Sequence, residues 1–482
     1  MQKNPYRWIV LIIASAGTLP VLLDSSLNIA FPAITTSFHV EVALIQWIVI
    51  TYVLTTASLL LGCGRLADVF GHKTIFVAGL ASSFIALALC GLAPSYNSLL
   101  CFRVLQGVSA AFISASAPAI VTVAFTSDEL GRALGVMNMT GFFGQTGGPV
   151  IGGYLVDRFS WRAVFLFRVP IALATCLAAI PLLGKSAARN RDQHFDAAGS
   201  ATLALSVAGL LLVLNRGRAA GFFLPGTMLM AAGSVLAFGA FVFTESRVKQ
   251  PVVDLSLFTA DLTLANLANL CANLAMFAIW LLVPYYIVDV LHYPATSGGT
   301  LLAPCPLGMA LAAPLSGLLS DRFGTRRLQA PGLAVEALGL FMVSRLGANS
   351  PYAAVFLALI LVGLGLGTFS VANMNYVMGT ISRERQGVAA GIVAMMRTLG
   401  VVAGVSTASA IFSVRRAAHI AILSQSHVMS GPAIALAGFI AAFRDAFTVS
   451  TAVCLVALAL SMIPARASSR PVRAASTDIE AS

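Results

Sequence analysis

Charge is what this chain lacks. Only 10% of its 482 residues are charged and 58% are hydrophobic, whereas soluble domains usually carry about a quarter charged residues. So few charges do not cover a water-facing surface, which excludes an ordinary soluble domain. The other available solvent is lipid, where only helices or closed barrels span. A barrel would alternate apolar and polar residues over segments of about ten. The apolar runs here reach roughly twenty residues, the length a helix needs to cross about 30 Å of hydrocarbon. An all-α polytopic membrane protein is expected.

Other absences narrow the function. The seven cysteines (Cys63, Cys90, Cys101, Cys176, Cys271, Cys305 and Cys454) form no CxxC pair, and most sit inside apolar runs. Neither a disulfide framework nor a zinc site is indicated, and no cofactor is expected. No GxxxxGK[ST] string occurs, so nothing points to an ATP site. Nor is there a metal cluster or a nucleophile–base arrangement, so an enzyme is not expected. The net charge of +11 is spread over short loops without a dense patch, which argues against nucleic acid as a partner. The start, "MQKNPYR" followed by "WIVLIIASAG", resembles a signal peptide with Ala14-Ser15-Ala16 as a cleavage site. The apolar run continues to Leu23, however, and an uncleaved first helix is the expectation.

Apolar runs between polar breaks predict about fourteen spans, near 8–30, 44–63, 75–93, 98–121, 133–155, 163–183, 198–214, 223–243, 264–288, 297–319, 328–346, 352–376, 388–412 and 443–464. With the N-terminus inside, every lysine and most loop arginines fall on the inner side. Both termini are then expected in the cytoplasm of a cell with this protein in its cytoplasmic (inner) membrane.

One phrase is written twice. "GRLADVFGHK" at 64–73 returns as "GLLSDRFGTR" at 317–326, pairing Gly64 with Gly317, Asp68 with Asp321, Gly71 with Gly324 and Lys73 with Arg326. With the shift lengthened by three residues, Gly144 and Gly148 meet Gly400 and Gly404. Several matches in order point to an internal duplication. Parallel halves related by an axis along the membrane normal are a transporter architecture, with cargo bound near the midplane between them. The expected division is a six-helix bundle at 1–184, connectors and two extra spans at 185–254, a second six-helix bundle at 255–465, and a cytoplasmic tail at 466–482.

These motifs together resemble the major facilitator superfamily, and within it the fourteen-helix drug:proton antiporters. "LDSSLNIAFPAI" (23–34) is similar to that family's first-helix signature, and "QWIVITYVL" (46–54) to its second-helix start. "GRLADVFGHK" resembles the loop between helices two and three, "LLCFRVLQGVSAA" (99–111) the fourth-helix motif, and "GQTGGPVIGG" (144–153) the antiporter motif of helix five. "MRTLGVVAGV" (396–405) is similar to the thirteenth helix. Two departures stand out: Ser26 where the family commonly has Thr, and Arg168 where it usually shows Asn. The resemblance implies a major facilitator fold of two six-helix bundles with an inserted two-helix hairpin.

Individual residues carry paired readings. Asp24 is an expensive carboxylate at membrane depth, so it either faces a watery cavity and exchanges protons there or merely marks the outer helix end. Arg103 does not deprotonate; it either biases a nearby carboxylate together with Gln106, one turn on, or snorkels to the interface. The resemblance implies a part in proton coupling for Asp24 and Arg103. Gly144, Gly148 and Gly152 make a bare stripe for close helix packing, and Pro149 can kink the span. In the repeated phrase, Gly64, Gly71 and Gly324 bracket sharp turns, while Asp68 and Asp321 are expected to cap the basic cluster or a neighbouring helix N-terminus. A gating role follows for these residues with Lys73 and Arg326. Glu336 and Arg397 either face the cavity or form buried pairs. Asn28, Trp47, Tyr52 and Gln145 complete the candidate cavity.

The function expected is efflux of amphipathic small molecules, drugs among them, driven by exchange for protons through alternating access. Small-molecule cargo, protons and the bilayer are the partners, with a monomer as the working unit. A dedicated exporter of one endogenous compound, an anionic one on the strength of Arg103, Arg168 and Arg397, is the alternative. A non-transporting membrane sensor ranks below both.

Overall fold

A computed structural model describes residues 6–184, 224–245, 259–381, 386–425 and 430–463, with five isolated positions between 201 and 213. Thirteen helices occupy the continuous stretches, and the five isolated positions are helical as well. The first six are α1 (Tyr6–Phe38), α2 (Val42–Phe70), α3 (His72–Gly91), α4 (Tyr96–Ala124), α5 (Ser127–Arg158) and α6 (Ala163–Leu182). Then come α7 (Pro225–Glu245), α8 (Ala260–Val290) and α9 (Ala295–Leu302 continuing as Pro304–Phe323). The last four are α10 (Thr325–Ser344), α11 (Tyr352–Thr380), α12 (Gln386–Gln425) and α13 (Gly431–Met462).

Nine of these helices are long and apolar enough to cross a bilayer, and ten if α2, bent by 50°, is one span. The expected count of fourteen is not established. Helices α5 and α10 have the length, but α5 begins with Asp128, Glu129 and Arg132, and α10 carries Arg326, Arg327 and Glu336. The expected span at 198–214 lies outside the described residues apart from isolated positions. Span ends also move. The first helix runs to Phe38 rather than residue 30, and the last begins at Gly431 rather than 443. The additional residues at the α12–α13 corner form a spur. There Phe412 meets Phe439 edge-on at 4.9 Å, and Arg415 and His419 pair with Asp445 at 2.5 and 2.8 Å.

Local chemistry sets the breaks. Ser95 and Ser98 exchange side-chain and backbone hydrogen bonds in a capping box that starts α4. Thr259 accepts from Leu262 N–H at the start of α8. Between α2 and α3, and between α9 and α10, the chain turns at Gly71 (φ +91°) and Gly324 (φ +84°). These angles suit glycine alone, which accounts for one part of the repeated phrase.

Packing within α1–α6 reappears within α8–α13. Helix α1 packs on α4, α5 and α6, as α8 does on α11, α12 and α13; α4 packs on α2 and α3, as α11 does on α9 and α10; and α3 meets α6 as α10 meets α13. Between the halves, α5 meets α9 and α2 meets α12, two contacts that exchange under the same correspondence. The duplication read in the sequence is therefore a duplication of packing.

The two ends of the bundle differ. Tyr6, Lys73, Glu129 and Gly184 share one end, which also holds Arg326 and Ile463; it is called here the termini end. At the opposite, far end, one apolar cluster joins both halves, with Ile29, Phe31, Ile45 and Ile48 beside Trp280, Val405 and Phe412. Toward the termini end the apolar residues fall into two separate clusters. One lies around Phe76, Ile113 and Phe125 and the other around Leu262, Val377 and Ile392. The halves are sealed together at the far end and stand apart at the termini end.

Candidate functional site

The polar run Leu23–Ala30 breaks α1 into a 3-10 stretch. Short hydroxyl side chains bond the chain's own carbonyls here: Ser26 Oγ donates to Leu23 O at 2.6 Å, and Ser25 Oγ to Leu22 O at 3.4 Å. Such bonds compete with regular helix pairing. Pro20, one turn earlier, leaves its carbonyl to a side-chain partner. The glycine stripe of α5 lies against this stretch. A Cβ on Gly144 would sit 2.9 Å from Leu22 Cβ, and one on Gly152 would sit 3.0 Å from Ser26 Cα. Ser25 Oγ also reaches Gln145 O at 3.2 Å. The α5 motif thus grips the segment that carries Asp24.

Asp24 receives four hydrogen bonds. Arg103 donates to Oδ1 at 2.7 Å and to Oδ2 at 2.9 Å, Arg168 to Oδ1 at 2.8 Å, and Gln106 Nε2 to Oδ1 at 3.0 Å. Arg103 also donates to Ile48 O (2.9 Å) and Gln106 Oε1 (2.8 Å), and it stacks 4.3 Å over the Tyr52 ring. Arg168 donates to Val164 O (3.1 Å) and Pro20 O (3.2 Å). Both arginine side chains are 0% exposed, while Asp24 keeps 16% of its side chain open. The carboxylate therefore forms the accessible edge of a sealed cluster, the arrangement that allows an ionised group at membrane depth.

The structure brings Asp24, Arg103, Gln106 and Tyr52 together and adds Arg168, which the sequence marked as an unusual charge favouring an anionic cargo but not as a partner of Asp24. Snorkelling of Arg103 is excluded by its burial. Asn28 and Gln145 stay half-buried nearby, whereas Trp47 packs on the far-end apolar cluster. Glu336 fits neither expectation. It is fully buried, and the polar neighbour of its carboxyl is the Cys454 thiol of α13 rather than a charged partner. It faces α11 so closely that a Cβ on Gly365 would lie 2.6 Å from its Cα. Arg397 does not form a buried pair: among the described residues it meets no acceptor, and its side chain is open to solvent while protein surrounds it, the situation of a crevice wall.

The repeated phrase also reads differently in three dimensions. Lys73 Nζ donates to Ile180 O (2.7 Å) and Leu183 O (2.5 Å) at the end of α6, and Arg326 donates to Ile463 O at the end of α13. Each basic residue caps the C-terminus of the sixth helix of its own half, where carbonyls lack partners and the helix dipole is negative. Asp68 instead faces His72 at 3.6 Å, and no side chain caps α3, contrary to the expected helix cap. The side chain of Asp321 lies outside the described residues. The cap on a neighbouring helix comes from Asp157, which the sequence reading passed over. It accepts from Ala295 N–H (3.1 Å) and from Thr296 N–H and Oγ1 (2.7 and 2.5 Å) at the start of α9. With the 2.6 Å bond between Thr35 and Tyr285, it ties the halves together at the far end. Its position one residue before the end of α5 is the only signal the sequence offered. Pro149 leaves α5 continuous, and its neighbourhood is the seam itself: a Cβ on Gly299 would lie 2.8 Å from Pro149 C. Gly64 and Gly317, near the termini end, have nothing within 4 Å.

A duplicated six-helix scaffold, joined at one end and holding a charged cluster at membrane depth, defines a polytopic membrane transporter. The chain belongs to the Major Facilitator Superfamily, whose sequence profile matches residues 13–405 and 265–481. It is 29% identical over 409 residues to the riboflavin transporter RibZ of Clostridioides difficile, spanning 84% of this chain and 88% of that protein. It is 31% identical over 387 residues to the tetracenomycin C resistance and export protein of Streptomyces glaucescens, spanning 80% and 72%. Among solved structures, a bacterial homologue of the human lysosomal transporter Spinster, in an inward-facing and occupied conformation, has the same fold. The TM-score is 0.68 at 15% identity, over 95% of this chain and 97% of that one.

Proposed function

We propose that this transporter exports amphipathic small molecules across the cytoplasmic membrane in exchange for protons, with both termini in the cytoplasm. The observation that carries the reading is Asp24, a carboxylate at membrane depth with part of its surface open and with its charge position fixed by Arg103 and Arg168. A residue so placed can bind a proton in one state of the cycle and release it in another. The lysine and arginine bias toward the termini end supports the orientation, and the separated halves at that end then make this the inward-open state. Export as the direction follows the resistance and export protein among the relatives.

Proton and cargo need not occupy one site; they need only favour different states of the same cavity. One proton falling through 100 mV supplies about 2.3 kcal/mol and one pH unit about 1.4 kcal/mol, together enough to hold a gradient of roughly a few hundred-fold in a neutral compound. In proteoliposomes with an imposed acid gradient, wild type should move a dye from a mixed panel and release protons when cargo is added. Asp24→Asn should do neither. Unchanged proton release in that variant would remove Asp24 from coupling.

A further inference from the structure

We infer that the cargo is an amphipathic organic anion, a carboxylate or an acidic phenol, selected because the crevice stays positively charged throughout the cycle. The inference rests on the export reading above and adds the substrate class.

Charge bookkeeping leads there. In the Asp24 cluster one carboxylate faces two guanidinium groups, so the cluster carries one net positive charge when Asp24 is ionised and two when it holds a proton. A single arginine would let the cluster become neutral; Arg168 removes that possibility. Its guanidinium is also unfinished. Nε and Nη1 have partners, but Nη2 is buried and has none, and a buried donor left unpaired is a standing demand for an acceptor.

The opposite half adds to the positive side. Arg397 stands mid-helix on α12, open to solvent, surrounded by protein and without a carboxylate or carbonyl partner among the described residues. Of the other carboxyls inside described helices, Glu336 is sealed between α10 and α11 with no opening to solvent, and Asp445 is taken up by Arg415 and His419 on the spur. Among the described residues, no acidic group offsets Arg397. A cationic drug entering this space would meet uncompensated positive charge, whereas an anion would supply the acceptor that Arg397 lacks and, in a state of the cycle that opens the sealed cluster, one for Arg168 Nη2.

Three dansyl probes share a fluorophore and differ in charge: dansylglycine (anion), dansylamide (neutral) and dansylcadaverine (cation). Titrated into purified full-length protein in phosphatidylcholine nanodiscs, dansylglycine should bind at least about tenfold more tightly than dansylcadaverine. Arg397→Gln should erase most of that preference, and Arg168→Asn should reduce it; Arg168→Lys should retain part. Each variant is checked by gel filtration and melting. Should Arg168→Asn fail to fold, Arg397→Gln carries the test alone. Equal or tighter binding of dansylcadaverine or dansylamide by wild type overturns the anion class and leaves the export reading standing. If none of the three binds and the wider dye panel is not moved in vesicles, both fall together. Loss of dansylglycine binding when phosphatidylglycerol is added to the nanodiscs assigns the positive site to lipid and overturns it as a cargo site.

Discussion

The two halves share a scaffold but not its chemistry. Every helix–helix contact described within α1–α6 has its counterpart in α8–α13, yet the charged cluster exists once. At the positions 256 residues beyond Arg103 and Gln106 stand Leu359 and Val362, both fully buried in apolar surroundings. The reverse also holds: Glu336 and Arg397 belong to the second half alone. Packing geometry was kept by both copies because each must bury the same faces, whereas polar groups inside a membrane are costly and persist where they act. Among the described residues, the first half holds the carboxylate of the charged cluster, and the second holds Arg397 without an acceptor.

That contrast can be broken most directly at Arg103. Arg103→Leu leaves Asp24 with one arginine and strands a buried carboxylate oxygen, which should cost about 3–5 kcal/mol and abolish vesicle transport. Its counterpart change, Leu359→Met, conserves volume and should cost less than about 1.5 kcal/mol, read as the melting shift in detergent. Comparable losses at the two positions would mean the halves are chemically equivalent after all. A second contrast lies between the two ends. Gly299→Val drives a side chain into the α5 backbone and should destabilise the sealed far end by about 1–3 kcal/mol, raising cysteine labelling near Thr35. Gly317→Ala, with open space around it, should leave that labelling unchanged. Smaller still, Lys73→Ala and Arg326→Ala should each cost about 0.3–1 kcal/mol and match one another, because both cap a sixth helix; unequal effects would sharpen the difference between halves. The smallest effect is expected at Glu336→Gln. This nearly isosteric change keeps an acceptor oxygen for the Cys454 thiol, so transport should stay within about twofold of wild type; a drop to background would place a second working carboxyl in the C-terminal half.

Much of this was readable from the chain. Asp24, Arg103 and Gln106 stood out because charge inside a twenty-residue apolar run is rare, and the i, i+3 spacing of Arg103 and Gln106 already placed them on one helix face. The glycine stripe at 144–152 likewise announced a close contact. What remained hidden depends on neighbours distant in sequence. Arg168 was visible as a charge, but only the packing of α6 beside Pro20 directs it onto Asp24. Glu336 could have faced water or a partner, and its sealing is decided by Gly365 on another helix. Asp157 looked like an ordinary helix end until the start of α9 arrived beside it. The hydropathy pattern ends the twelfth helix before Arg415, Arg416 and His419, and these residues lie along the α12–α13 spur, where charge is tolerated.

The spur has a practical corollary. A forty-residue helix is about 60 Å long, roughly twice the hydrocarbon thickness, so part of the α12–α13 pair stands clear of the lipid as a stiff handle. An antibody fragment raised against the Arg415–Asp445 corner would grip a small, mostly lipid-embedded particle without touching the seam or the charged cluster. It would give single-particle imaging the fiducial mass needed to sort one conformation from the other.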